Sequence, residues 1–161
     1  MNRSGEPDSY GIKETFFMQR ALDLAADAGR AGEVPVGAVV VNRGHIVGEG
    51  ANSPIRDCDP TAHAEIIALR AASAALGNYR MPEAELFVTL EPFTMCAGAM
   101  IHARIKRLIF AATDPRTGAI CSSCEILHGA HHNHHIDWSC GLLADESSSL
   151  IRSFFRERRK N

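Results

Sequence analysis

The chain has no apolar run long enough to cross a bilayer, which excludes a transmembrane segment. The first fifteen residues are polar and lack the apolar centre of a secretory signal peptide. An excess of positive charge is also missing, since the formal net charge is −2 and the pI is close to 6.4. The chain is therefore not a generally basic nucleic-acid-binding protein, and any contact with nucleic acid must come from a local patch.

The cysteines show no evident disulfide framework, and their number, five, is odd. Disulfides are rare in the reducing cytosol, where thiols stay free to bind a metal. We therefore expect a cytoplasmic protein with reduced cysteines.

Length and composition are those of one globular domain. Of the 161 residues, 45% are hydrophobic and 22% are charged, which is typical of folded chains. We predict a single domain over 1–161, with a polar tail over about 1–9 and a basic C-terminal helix over about 144–159.

Strand and helix patterns alternate along the chain. Apolar runs predict strands over 36–41, 45–50, 85–90 and 106–112, with an edge strand near 136–138. Helical spacing predicts helices over 11–28, 60–76, 92–104 and 144–158, the second N-capped by Asp59. The last helix is expected to bury its apolar residues, Leu150, Ile151, Phe154 and Phe155. The alternation indicates an α/β layered sheet.

Two strand-to-helix junctions carry more chemistry than packing requires. The first, TAHAEI at 61–66, supplies His63 and Glu65, and the second, EPFTMCAGAM at 91–100, supplies Cys96. Imidazole and thiolate are zinc ligands, and a nearby carboxylate can carry protons. Each residue alone would more often serve packing. Because ligand sites in α/β sheets lie at the carboxyl ends of strands, we expect both junctions to follow neighbouring strands and form one pocket.

The sequence resembles the bacterial tRNA-specific adenosine deaminases (TadA-like) of the cytidine deaminase-like superfamily. The resemblance covers nearly the whole chain in order and rests on these segments: EVPVGAVVV (33–41), GEGAN (48–52), DPTAHAEIIALR (59–70), NYR (78–80), VTLEP (88–92), MCAGAMIHARI (95–105), DPRTGA (114–119), GLLADE (141–146) and FFRERR (154–159).

This resemblance implies a three-layer α/β/α cytidine deaminase-like fold with a mixed five-stranded sheet. It implies a homodimer that deaminates the wobble adenosine of a tRNA anticodon stem-loop to inosine, with one zinc per subunit. His63 and Cys96 match zinc ligands, and Glu65 matches the residue that moves protons between a zinc-activated water and the base. The substrate-binding positions of the family match Asn52, Val34 and Ala64, the last through its backbone N–H.

The sequence departs from the family at one ligand position. The family pattern P-C-x-x-C has a cysteine where this chain has Phe93. A catalytic zinc site ordinarily has three protein ligands and one open position. Three explanations stay open. Another side chain replaces the missing thiolate, with Cys58 nearest in sequence and Cys121 and Cys124 more remote; the site is impaired; or two ligands and solvent hold zinc weakly.

Two other functions therefore stand beside tRNA deamination. Phe93 is compatible with a non-catalytic or impaired member that binds tRNA or pairs with an active subunit. The same chemistry would also serve a deaminase of free guanine or cytosine.

Two further clusters have a chemical and a plain interpretation. Arginines of the last helix could contact phosphates or simply form its solvated face: Arg152, Arg156, Arg158 and Arg159. Cys121 and Cys124, followed by His128 and the histidine-rich run 131–135, could hold a second metal. Their spacing does not fit a zinc finger, and a polar surface loop is the simpler interpretation.

Overall fold

A computed structural model describes residues 9–129 and 132–161. Its helices are α1 (Ile12–Arg30), α2 (Pro54–Asp57), α3 (Ala64–Leu76), α4 (Thr94–His102) and α5 (Ala144–Lys160), with a 3₁₀ turn at Ile126–His128. Its strands are β1 (Gly37–Asn42), β2 (His45–Ala51), β3 (Ala84–Leu90), β4 (Arg107–Ala112) and β5 (Asp137–Cys140).

The strands form one mixed sheet in the order β2-β1-β3-β4-β5. β1 is antiparallel to β2 and β3, whereas β3, β4 and β5 run parallel. One apolar core lies between the sheet and α3 and α4, and a second lies between the sheet and α1. The expected three-layer α/β/α fold with a mixed five-stranded sheet is confirmed.

The apolar sequence of β1 from Gly37 to Val41 follows from its position between β2 and β3. Ala38 and Val40 belong to the core beneath α3 and α4, whereas Val39 and Val41 belong to the core beneath α1. Because successive side chains of a strand point to opposite faces, a strand covered on both faces has no polar position.

The junctions that carry the candidate ligands open on the same edge of the sheet. β2 and β3 are both antiparallel to β1, so their carboxyl ends lie on one side. The expectation that the two junctions follow neighbouring strands is wrong, because β1 lies between β2 and β3. The crossover through α3 spans β1 and still brings both junctions together.

The predicted start of the second long helix is wrong. Asp59 does not cap it; its carboxylate accepts hydrogen bonds from the backbone N–H (2.8 Å) and hydroxyl of Thr61, which closes a separate turn. The helix begins at Ala64, with His63 as the N-cap residue. The predicted loop before it also contains the short helix α2, where Pro54 occupies the first position.

The predicted burial of the last helix is also wrong. Within α5, all of which the structure describes, only Ser147 is buried, and Phe155 is 44% exposed. Ser147 lies deep because its hydroxyl donates to the carbonyl of Thr89 in β3. Beyond it, Ile151 and Phe155 line an open groove instead of packing under another layer.

No helix in the described part of the chain combines the length and apolarity that crossing a membrane requires.

The contact between β2 and α3 generates a prediction. A Cβ added at Gly48 would lie 2.3 Å from the carbonyl oxygen of Ala68 and 2.7 Å from the nitrogen of Ala72. We expect Gly48→Ala to lower the free energy of unfolding in urea by about 1–3 kcal/mol, because backbone atoms of α3 must shift. Gly98→Ala is the control, since nothing lies within 4 Å of its added Cβ. Equal stabilities of the two variants would contradict this packing.

Candidate active site

Three buried or half-buried donors meet where α3 and α4 begin. His63 precedes the first residue of α3, Glu65 lies in its first turn, and Cys96 lies in the first turn of α4. The Nδ1 atom of His63 is 3.6 Å from the Sγ atom of Cys96. Ligand atoms of all three residues lie within 4.8 Å of one another. They form the only such group of histidine, cysteine and acidic residues in the described ranges.

The neighbouring segment fixes the helix start that carries His63. The side-chain oxygen of Asn52 accepts a hydrogen bond from the backbone N–H of Ala64 at 2.9 Å. This bond satisfies a donor that the helix itself leaves unpaired, because no side chain within α3 caps it. Asn52 thus connects the end of β2 to the first residue of α3.

The electrostatics of the site disfavour two negative charges without a cation. Burial raises the pKa of the Glu65 carboxyl above its ordinary value, although a hydrogen bond with Cys96 lowers it in part. Burial also raises the pKa of the Cys96 thiol, and the neighbouring Glu65 carboxylate raises it further. Charges buried this deeply require a partner. A divalent cation between them would supply it.

The distances among these donors fit zinc. Two ligands of one tetrahedral zinc, a nitrogen and a sulfur, lie about 3.5 Å apart. The separation of 3.6 Å between His63 and Cys96 agrees with that value. Phe93, the N-cap residue of α4, offers no donor. The third donor within reach is therefore the carboxylate of Glu65.

A cavity of about 380 Å³ opens above the donors. Phe93 lies in its wall and is 45% exposed. The other residues of the wall are Val34, Val36, Asn52, Pro54, His63, Glu65, Leu90, Glu91, Asp114 and Thr117. Apolar atoms make up most of the exposed surface of the cavity, and polar side chains lie among them, as in most small-molecule sites.

The structure brings most of the predicted site residues to this cavity. Val34 and Asn52 line it, together with His63 and Glu65. Ala64 is buried, and its N–H is already bonded to Asn52, so it is not a free donor for a substrate.

The proposed replacements for the missing thiolate lie elsewhere. Cys58 is exposed at the end of α2, where its thiol donates to the carbonyl of Ile55. Cys121 donates to Glu91, and burial raises the pKa of its thiol to about 11. Cys124 is exposed. None of the three belongs to the donor group at His63.

The second predicted cluster does not assemble in the described residues. Among the residues that the structure describes, no group of ligands forms around Cys121, Cys124 and His128. His134 bonds the carbonyl oxygen of Ile105 at 2.6 Å, and His135 pairs with Asp137 at 3.3 Å. His131 lies outside the described residues.

The arginines of α5 differ from one another. Arg158 donates to the carbonyl of Gly32 at 2.9 Å and stacks over the ring of Phe154. Arg152 lines the groove beside the cavity, and Arg159 lines its continuation. Arg156 is exposed.

Two buried carboxylates that the sequence analysis missed hold the walls of the cavity. Glu33 accepts hydrogen bonds from the N–H groups of Ile55 and Arg56 and so caps α2. Glu91 accepts from the loop that follows β4, through the N–H groups of Asp114, Ile120, Cys121 and Ser122 at 3.1–3.3 Å. Both residues are 3% exposed. The signal for Glu91 is an acidic residue directly after a mostly apolar strand.

Comparisons with known proteins agree with this geometry. The family model of the cytidine and deoxycytidylate deaminase zinc-binding region matches residues 12–112. The tRNA-specific adenosine deaminase of Haemophilus influenzae is 50% identical over 157 residues, which span 95% of this chain and 91% of that protein.

Two solved structures are also similar. One, from studies of A-to-I editing by tRNA:A34 deaminases at the wobble position, superposes with a TM-score of 0.82 at 44% identity, over 84% of this chain and 99% of that one. A guanine deaminase from Nitrosomonas europaea superposes with a TM-score of 0.75 at 28% identity, over 92% of this chain and 87% of that one.

The hydrogen bonds that the Glu91 carboxylate accepts from the loop after β4 generate a prediction. In Glu91→Gln an amide NH₂ replaces an acceptor that faces several N–H donors. We expect the free energy of unfolding to fall by about 1–3 kcal/mol, measured by urea denaturation. Glu83→Gln, at an exposed position shortly before β3, is the matched control and should change stability by less than about 0.5 kcal/mol. Equal effects would show that the buried bonds to Glu91 contribute little.

Proposed function

Because the chain belongs to the tRNA-specific adenosine deaminases of the cytidine and deoxycytidylate deaminase family, we propose that it converts the wobble adenosine of a tRNA anticodon loop to inosine. The observation that carries the proposal is the convergence of His63, Glu65 and Cys96 beneath an open cavity. The reaction consumes one water and releases ammonia from C6 of adenine.

The residues have distinct proposed roles. His63 and Cys96 hold zinc, the cofactor of this family, which when bound makes water a nucleophile near neutral pH. Glu65 takes a proton from the attacking water and delivers protons to the base and to the departing ammonia. Its burial supports this role, because burial raises the pKa of the Glu65 carboxyl and so makes its carboxylate a better proton acceptor.

The walls of the cavity suit a purine that has left its stack. Val34 and Leu90 give apolar surface for the base. The side-chain oxygen of Asn52 is bonded to Ala64, which leaves its NH₂ group as a donor to the nucleotide. The target adenosine must leave the anticodon stack, since its C6 atom is unreachable within it.

A groove connects the cavity to the basic end of α5 and supports binding of the anticodon strand there. Val34, Leu90 and Thr117 line both the cavity and the groove. The far part of the groove has Arg116, Phe155, Arg158 and Arg159 in its walls. Cations beside an exposed ring are the usual combination for single-stranded nucleic acid.

We further propose that the protein acts as a cytoplasmic homodimer and forms one domain over 1–161. The continuous resemblance to the tRNA deaminases supports this assembly. Light scattering of the purified chain should give the mass of two copies, and a monomer at micromolar concentration would contradict it.

The substrate assignment has a direct test. We expect the zinc-loaded chain to form inosine in an anticodon stem-loop with adenosine at the wobble position, measured by nuclease digestion and chromatography. It should release no ammonia from free guanine or cytosine, because the 50% identity to a tRNA deaminase outweighs the 28% identity to a guanine deaminase. Ammonia from free bases alone would favour a nucleobase deaminase, and no inosine at enzyme excess would favour a binding protein without activity.

Substitutions at Phe93 and at Glu65 have expected effects on this reaction. Phe93→Cys should raise the rate of inosine formation by at least about tenfold, because it restores a ligand position. Within that variant, Glu65→Gln should lower the rate by at least about 100-fold, the usual contribution of a general acid and base. A Phe93→Cys rate equal to that of the unaltered chain would contradict the ligand argument.

The salt dependence of stem-loop binding tests whether the arginines of α5 contact the RNA. We expect the combined change Arg152→Ala, Arg156→Ala and Arg159→Ala to weaken stem-loop binding. The slope of log affinity against log salt should fall by about 0.7 for each arginine that no longer neutralises a phosphate. Arg43→Ala is the control, because Arg43 is exposed in the β1–β2 turn at the opposite edge of the sheet. Equal slopes for the two proteins would remove α5 from the RNA site.

A further inference from the structure

The ligand set of this chain differs from that of its family at one position, and the difference changes what the remaining residues must do. Phe93 lies where the family has a thiolate, and it supplies no donor. His63 and Cys96 by themselves give a metal two protein ligands and one compensating negative charge. A buried dication with one such charge is poorly neutralised.

We propose that Glu65 is the third zinc ligand in the resting protein, so that the set is His63 Nδ1, Cys96 Sγ and one carboxylate oxygen of Glu65. This inference rests on the proposed function, because it assumes that the family's zinc binds at this site. It assigns Glu65 a role in binding the metal that is additional to its role in moving protons.

Geometry supports this set. The ligand atoms of the three residues lie within 4.8 Å of one another, and His63 and Cys96 have the separation of two ligands on one zinc. Cys96 is fully buried and Glu65 is 4% exposed, so both donors lie inside the protein beside His63. Carboxylate oxygen is an ordinary zinc ligand beside imidazole and thiolate.

Charge supports it as well. Two thiolates and a neutral imidazole neutralise Zn²⁺ in the family pattern. One thiolate, one carboxylate and a neutral imidazole neutralise it equally. Glu65 therefore restores both the number of ligands and the charge that Phe93 removes.

The other candidate ligands are placed elsewhere. Cys58 is exposed, and its thiol donates a hydrogen bond to the carbonyl of Ile55. The thiol of Cys121 donates a hydrogen bond to the carboxylate of Glu91. Neither joins the donor group among the residues that the structure describes.

The proposal has a consequence for turnover. A carboxylate that ligates the metal through one oxygen is a weaker proton acceptor at its other oxygen, because the metal withdraws electron density. The unaltered chain should therefore be a slow enzyme, because Glu65 binds the metal and moves protons with the same group. Phe93→Cys frees Glu65 for proton transfer alone.

A double-mutant cycle on zinc affinity tests the assignment without any substrate. The four proteins are the unaltered chain, Glu65→Gln, Phe93→Cys and the combination of both. Zinc dissociation constants are measured by competition with a chromophoric chelator. In the unaltered background we expect Glu65→Gln to weaken zinc binding by more than about 100-fold, because a neutral amide replaces a negatively charged ligand. In the Phe93→Cys background it should weaken binding by no more than about tenfold.

Three controls make the result specific. Zinc that still binds after His63→Ala is held elsewhere on the chain and is subtracted. Cobalt(II) in place of zinc reports the sulfur ligands through its charge-transfer absorption, which should correspond to one thiolate in the unaltered chain and two in Phe93→Cys. Circular dichroism establishes that each variant folds.

The outcomes separate cleanly. Glu65 is supported as a ligand if Glu65→Gln causes a large loss of zinc affinity in the unaltered chain and a small loss in the Phe93→Cys variant. Equal losses in both backgrounds, or no zinc bound by the unaltered chain at the His63 site, overturn it. The affinities do not depend on which base is deaminated, so a failure here is distinct from a failure of the tRNA assay.

Discussion

The structure depends on the approach of two helix starts that carry an imidazole, a thiol and a carboxylate into one buried position. His63 and Cys96 are 3.6 Å apart although 33 positions separate them in sequence. A buried acid and a buried thiol cannot both ionise there without a cation. The most economical account of such a cluster is a metal that neutralises it, and the zinc-binding family to which the chain belongs supplies one.

The rest of the fold holds this approach in place. The β1 strand, covered on both faces, sets the two junctions on one edge of the sheet. The side chain of Asn52 accepts a hydrogen bond from the first amide of α3. The carboxylates of Glu33 and Glu91 accept hydrogen bonds from backbone N–H groups of the surrounding segments. The site is therefore supported by rigid elements on each side, which is what positioning of reacting groups requires.

Much of this could be predicted from sequence, where local patterns decide the structure. The apolar run of β1 and the two junctions with His63 and Cys96 follow from strand patterning and ligand chemistry. Long-range contacts explain the failures. Asp59 closes its own turn on Thr61 instead of capping α3, and Ile151 and Phe155 of α5 line a groove instead of packing into a core. The role of Glu91 depends on a loop more than twenty residues away, which no local pattern reveals.

Zinc-edge X-ray absorption of the purified, zinc-loaded chain tests the central claim most directly. A zinc at the His63 site has one sulfur neighbour at about 2.3 Å, from Cys96, and lighter nitrogen and oxygen neighbours at about 2.0–2.2 Å. For the unaltered chain we predict one sulfur neighbour of zinc and otherwise only nitrogen and oxygen neighbours. A zinc without sulfur would mean that the metal lies elsewhere, and a zinc with two sulfur neighbours would mean that another cysteine, not Glu65, replaces the ligand missing at Phe93.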